Sequence, residues 1–196
     1  VFIPEKYRYI APEEILSYLN QRSGLLDGVV ISGGEPLLQE ELIPFIRQIK
    51  ELGYAVKLDT NGTNNEKLGV LLEEGLVDFV SLDMKNSAEK YPLTSGLKSD
   101  MEYKHPISES VRLLQEYKVE HEFKTTVVKE FHTVDDLIKI AKFIGSDAHY
   151  VLQQFISSDT VIQPDLHAYT AKEMEEIKKA VEPYVKVVEL RLAKEV

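Results

Sequence analysis

Six short apolar and β-branched runs alternate with six stretches of helical period, and in most of the runs every second residue is polar. Strand followed by helix throughout is the pattern of right-handed βα crossovers, and it predicts a mostly parallel sheet. The helical stretches are Ala11–Arg22, Glu41–Leu52, Glu66–Glu74, Ile107–Lys118, Val134–Ile144 and Ala171–Tyr184. The first starts behind Pro12 with Glu13 and Glu14 at the positive end of its dipole, and three others stop at Gly53, Gly75 and Gly145. Between them lie the strand segments Gly28–Ser32, Ala55–Asp59, Val77–Met84, Glu120–Val128, Tyr150–Phe155 and Val185–Arg191.

Strand polarity separates two architectures. A doubly wound sheet is covered by helices on both faces, so its strands read as nearly unbroken apolar runs. Here Lys57 and Asp59 alternate with Val56 and Leu58, Ser81 and Asp83 with Val80 and Leu82, and Glu122 and Lys124 flank Phe123. One greasy and one polar face predict a curved sheet with helices outside and a wet lumen inside. Six strands are too few to close as the eight-stranded barrel does. The expected fold is therefore α/β: a partial (β/α)6 TIM-like barrel forming one domain over residues 1–196, its strands in chain order. A doubly wound sheet is the alternative.

Three strand ends carry the chemistry. Val30-Ile31-Ser32-Gly33-Gly34-Glu35-Pro36 is a β-branched run that stops at two glycines, an acid and a proline. The glycines let backbone approach a ligand, and Glu35 can accept from an ammonium group; the plainer alternative is a βα turn with Pro36 opening a helix. Leu58-Asp59-Thr60-Asn61-Gly62 and Ser81-Leu82-Asp83-Met84-Lys85 end the next two strands, at the edge where ligands bind in parallel α/β proteins. Asp59 and Asp83 on neighbouring strands would repel each other unless a cation or a ligand's charges lay between them. Asn61-Gly62 alone reads as a surface turn, and Lys85 beside Asp83 as a surface ion pair.

Composition sets outer limits. The formal net charge of −10 over 196 residues, with no basic stripe, speaks against a nucleic-acid surface. No cationic leader, membrane-length apolar run or acylation signal is visible, so a cytoplasmic protein is expected. The cysteine count is zero, which excludes disulfides, thiolate catalysis and a cysteine-ligated cluster within these residues. The five histidines, His105, His121, His132, His149 and His167, show no ligand spacing and receive no role.

Taken together and in this order, Gly-Gly-Glu-Pro, Asp-Thr-Asn-Gly and Leu-Asp-Met-Lys resemble the S-adenosylmethionine (SAM) dependent activating enzymes of glycyl radical enzymes, within the radical SAM superfamily. The likeness runs from Val1 to about Phe155 and is closest to activating proteins of anaerobic ribonucleoside-triphosphate reductase, then to pyruvate formate-lyase activases. It implies a SAM-binding partial barrel in which Gly33, Gly34 and Glu35, ahead of Pro36, hold the methionine amino group. Asp83 and Lys85, with Asn61 nearby, would meet the polar end of SAM. Asp59, Thr60, Asp83 and the Met84 carbonyl would surround a monovalent cation. It further implies a 4Fe–4S cluster, an electron from a reduced flavodoxin or ferredoxin-type donor, and reductive cleavage of SAM to methionine and a 5′-deoxyadenosyl radical. That radical would take a hydrogen from a glycine of the partner enzyme.

The resemblance fails at the three-cysteine loop, Cys-x3-Cys-x2-Cys, which these residues lack. The first strand of the family and this loop are expected upstream of Val1, leaving an unpaired edge beside Val29–Ser32. A cluster-less SAM or nucleotide-binding module, and a radical SAM enzyme acting on a small molecule in the manner of a deazapurine synthase, are the alternatives. Asn86–His105 reads as a long connection, either a docking surface or a mobile loop. The tail Ser157–Tyr169 is similar in character, and Gln153 and Gln154 before it are candidates to touch the adenosine end of the ligand.

Overall fold

Ile31, Leu58 and Val80 stand side by side across the first three strands, and Leu82, Phe123, Tyr150 and Val188 across the last four. This alignment of alternate residues gives the sheet a continuous apolar face, with Leu58, Leu82, Phe123 and Tyr150 fully buried. Helices supply the other half of the core through Ile46, Leu68, Leu114, Leu137, Ile144 and Met174. Each fully buried leucine-sized side chain contributes roughly 1.5–3 kcal/mol, so the amphipathic face of each helix fixes its docking.

The structure is a computed structural model and describes residues 9–95, 101–157, 163 and 165–193, with backbone alone over 101–105. Six strands, β1 (Gly28–Ile31), β2 (Ala55–Thr60), β3 (Phe79–Asp83), β4 (Glu120–Val127), β5 (His149–Gln154) and β6 (Val187–Arg191), pair in parallel and in chain order. The expected partial barrel is therefore the observed one, and among the described residues the sheet does not close. Among the described residues no strand pairs with the outer edge of β1, and Val30 is 59% exposed. Among the described residues α1 (Pro12–Gln21) precedes β1, and α2 (Leu42–Glu51), α3 (Asn65–Glu73), α4 (Tyr91–Ser95), α5 (Met101–Tyr117), α6 (Val134–Ile144) and α7 (Ala171–Val181) connect the strands. Capping boxes start the last two: Thr133 with Asp136, and Thr170 with Glu173, each hydroxyl and carboxylate satisfying the other's backbone N–H.

The largest departure from the sequence reading lies between β3 and β4. Asn86–His105 is not a long loop, because α4 occupies part of it and α5 begins at Met101 and runs through Pro106. Pro106 lies inside α5, where its ring costs the helix one backbone donor without ending it. Residues 96–100 of that connection lie outside the described residues, as do 158–162 and 164 of the tail.

Gly62 is required by both conformation and space. Its φ of +68° is left-handed, and a Cβ would collide with Leu82 Cδ1 and come within 3.2 Å of Ser110 Cβ. Ser110 Oγ also donates to the Gly62 carbonyl at 2.7 Å, tying α5 to the end of β2. Gly62→Ala should cost about 2–3 kcal/mol, from strain and overpacking together, measurable as a lowered midpoint in urea with an unchanged slope.

Candidate functional site

At the carboxyl end of β1 the chain turns through Gly33 and Gly34, with φ of +94° and +50°. Neither glycine makes a backbone hydrogen bond among the described residues, and a Cβ built at Gly33 meets nothing within 4 Å. The turn is thus open on the side facing a groove lined by Tyr9, Val30, Ile31, Ser32 and Pro36. Glu35 holds it there. Its carboxylate is buried, and Oε1 accepts from Thr60 Oγ1 at 2.6 Å and Leu37 N at 3.1 Å, while Oε2 accepts from Asn61 N at 2.8 Å. A buried carboxylate demands such donors, and two of the three, from Thr60 and Asn61, staple the β1 loop to the end of β2.

The Glu35 side chain thus lies with Thr60, on the apolar side of the sheet. The Asn61 Oδ1 is engaged locally, accepting from Thr63 N at 2.9 Å and Thr63 Oγ1 at 2.8 Å. Gln154 is also engaged within the fold. It lies on the apolar face in register with Val127, and its amide bridges the Tyr169 carbonyl and the Ala193 N–H. Gln153 is the one of the pair on the polar face, opposite Thr126 and Arg191.

The polar face carries Asp59 and Asp83. Asp59 Oδ1 is buried without a hydrogen bond, 3.6 Å from the Lys57 ammonium. Asp59 stands opposite Ser81, so Asp83 lies two residues, about 7 Å, further along the strand axis. Asp83 is ion-paired to Lys85 at 2.8 Å and to Lys124 at 3.3 Å. The four groups assigned to a cation do not gather into one cage. Thr60 is on the opposite face from Asp59, bonded to Glu35, and the Met84 carbonyl accepts from Thr125 Oγ1 at 2.7 Å. No cluster of three or more histidine or carboxylate side chains among the described residues could hold a metal ion.

Below these strand ends the lumen is cross-linked by charge. The Arg191 guanidinium forks onto Glu122 at 2.9 and 2.6 Å and reaches Glu189 at 2.8 Å; Ser81 donates to Glu122 at 2.8 Å, and Lys57 lies 3.5 Å away. Burial would raise the Glu122 carboxyl, but the Arg191 fork, the Ser81 hydroxyl and the Lys57 charge together hold it down at about 2. The lattice joins β2, β3, β4 and β6 and sets a floor beneath the strand-end groups. A more apolar cavity, lined by Met84, Tyr91, Ile107, Ile140 and Phe143, lies on the outer side among α4, α5 and α6.

Two residues that touch this edge escaped the sequence reading. Lys124 was visible only as a polar residue in the alternation, since its partner is 41 positions away. His132 had no signal at all, because it bonds to backbone atoms.

The molecule is an open parallel α/β half-barrel with polar groups gathered at successive strand ends. The sequence pattern of the Radical SAM superfamily matches residues 2–144, and the chain belongs to that superfamily. It is 35% identical over 160 residues to a candidate glycyl-radical enzyme activating enzyme of Methanocaldococcus jannaschii, covering 81% of this chain and 66% of that protein. A candidate GTP 3′,8-cyclase of Pyrococcus horikoshii is 26% identical over 148 residues, covering 74% of this chain and 46% of the relative. The fold matches a domain of a pyruvate-formate lyase-activating enzyme from Bacteroides vulgatus, with a TM-score of 0.66 at 14% identity, over 86% of this chain and 99% of that one. The chain thus spans about two thirds of the first relative and under half of the second.

Proposed function

We propose that the chain is the strand-edge portion of a cytoplasmic radical SAM activating enzyme, which installs a glycyl radical on a partner enzyme. The observation that carries this reading is the 35% identity over 160 residues to a protein of that description, a span that includes at least two of the three strand-end motifs. Anaerobic ribonucleoside-triphosphate reductase is the proposed partner, with a reduced flavodoxin or ferredoxin-type protein as electron donor. No helix among the described residues is long and apolar enough to cross a membrane.

SAM fits the residues present. The open turn at Gly33 and Gly34 suits its amino-acid end, and the buried Asp59 Oδ1 lacks a hydrogen bond that a ligand donor could supply. Lys85 and Lys124, already turned toward Asp83, suit a carboxylate. Gln153 is the remaining lumen-facing candidate for the adenosine end. Bound SAM supplies this family with a source of a 5′-deoxyadenosyl radical. The chain's own residues orient it: Glu35 fixes the glycine loop, Asp83 bridges the Lys85 and Lys124 ammonium groups, and the Glu122–Arg191 lattice keeps the strand ends in register. A 4Fe–4S cluster, which the superfamily implies, finds no thiolate among the 196 residues.

Asp83→Ala in the full-length protein should weaken SAM binding at least about tenfold in calorimetric titration, because it frees Lys85 and Lys124 to repel each other. Equal affinities for variant and wild type would sink the assignment of this edge. Activation is tested separately. Full-length protein, SAM and a low-potential reductant, mixed with the anaerobic reductase, should give a glycyl radical signal in electron paramagnetic resonance. Loss of GTP with no glycyl radical would instead favour the second reading, a small-molecule enzyme related to the cyclases.

A further inference from the structure

His132 is buried, at 2% exposure, and lies in the loop between β4 and α6. Its Nδ1 accepts from the Val128 N–H at 3.1 Å, so Nε2 carries the proton and donates it to the Lys85 carbonyl at 2.8 Å. Around it the same two loops are bolted by further bonds. Asn86 Nδ2 donates to the Phe131 carbonyl at 3.0 Å, Ser87 Oγ donates to Asp136 at 3.2 Å, and Tyr169 donates its hydroxyl to the His132 carbonyl at 2.7 Å.

We infer that His132, as the neutral Nε2–H tautomer, is a positioning residue that clamps the end of β3 and so sets where Lys85 stands beside Asp83. The inference deepens the proposed SAM reading and rests on it. The geometry is specific: the imidazole spans from one strand-end loop to the next and uses both ring nitrogens on backbone atoms. Lys85 is only two residues past Asp83, so a shift of its backbone moves the ammonium that pairs there. Val128 anchors the other side, as its residue pairs across to Ala168 in an antiparallel bridge. The charged groups facing the ring are Asp136 on α6 and Lys90 ahead of α4, and these pair with each other at 2.6 Å. Burial holds the His132 pKa below its ordinary value, against the Lys85 hydrogen bond and the Asp136 charge. The neutral ring the clamp needs is therefore the form present at neutral pH. A protonated ring would aim a second N–H at the Val128 N–H and open it.

Two substitutions in the full-length protein divide the clamp from simple packing. His132→Asn keeps an acceptor near Val128 but cannot reach Lys85, whereas His132→Gln keeps a donor at the Nε2 position. In His132→Asn the amides of Met84, Ser87 and Lys90 should exchange with deuterium about tenfold faster, and SAM affinity should fall about three- to tenfold. His132→Gln should restore most of both, with the two variants melting together. Lys85→Ala is the control. If it leaves SAM affinity unchanged, the SAM assignment of this edge fails, and the exchange comparison still decides the clamp. If Lys85→Ala weakens SAM while His132→Asn matches wild type in exchange and affinity, the positioning role is overturned. Equal, chain-wide loss of protection in both His132 variants would make the ring a packing residue and overturn it as well.

Discussion

Glu122→Ala should lower the unfolding free energy by about 3–5 kcal/mol, the cost of removing one partner from a buried ion pair. The side chain is 2% exposed, and its loss strips the Arg191 fork and the Lys57 ammonium of their shared partner, leaving Arg191 only Glu189 at 2.8 Å and Lys57 only Asp59 at 3.6 Å. Glu122→Gln keeps an acceptor for Ser81 and Arg191 while losing the charge, and should cost less. The double replacement Glu122→Met with Arg191→Met should recover much of the loss, since an apolar pair of similar volume is often as stable as the ion pair it replaces. Chemical denaturation of the four proteins checks the set. A Glu122→Ala cost under about 1 kcal/mol would mean that the lattice is solvated and contributes as surface pairs do.

The same residue sets an acid limit. Its folded-state pKa is about 2 against an ordinary 4.5, so the stabilisation is complete above pH 4.5 and disappears as pH falls from there toward 2. For a group this buried the shift corresponds to about 3 kcal/mol. Asp136, 4% exposed, behaves alike: burial would raise it, but Lys90 and Thr133 hold it at about 2 from an ordinary 3.8. The wild-type protein should therefore lose stability steeply between pH 4.5 and 2. Glu122→Gln should show a visibly shallower slope over that window.

Much of this architecture is legible in the chain. Parallel strand order follows from alternation of strand and helix, and the polar strand ends from where each strand runs into Gly33, Asp59 or Asp83. Polar alternation at Lys57, Ser81 and Glu122 identifies the inner face. What the alternation could not supply was the pairing across it. Glu122 and Arg191 are 69 positions apart, and nothing local in either marks the other as a partner. The partners of Glu35 were hidden for a related reason: the donors that satisfy it, Thr60 and the Asn61 amide, arrive only when β2 pairs with β1. Gln154 shows the reverse case. Strand parity alone puts it on the apolar face, in line with Tyr150 and Leu152, so its exclusion from the lumen was available in the sequence. Pro92 and Pro106 hid α4 and the start of α5, because proline's signal as a breaker is strong and its tolerance inside a long helix depends on packing.

Supplied with iron and sulfide under reducing conditions, the 196 residues should acquire no iron–sulfur absorbance and should release no 5′-deoxyadenosine from SAM. Cubane clusters of this kind are held by thiolates, and the sequence has no cysteine to provide them. No alternative ligand set compensates, since the described histidines and carboxylates nowhere gather in threes. SAM recognition is a separable property. The glycine turn, Asp59, Asp83 and the two lysines belong to the folded strand edge, so the same preparation should still bind SAM, more weakly than protein carrying a cluster, by titration. Binding without cleavage would thus separate what the strand ends contribute from what a thiolate-held cluster must add. A chain extended upstream by a Cys-x3-Cys-x2-Cys segment should gain both the absorbance and the cleavage. If the 196 residues instead bound no SAM at all, the strand-end groups would be insufficient on their own, and the ligand's main contacts would have to come from the cluster itself. If they took up a cluster, ligands other than thiolate would have to be sought among the histidines and carboxylates.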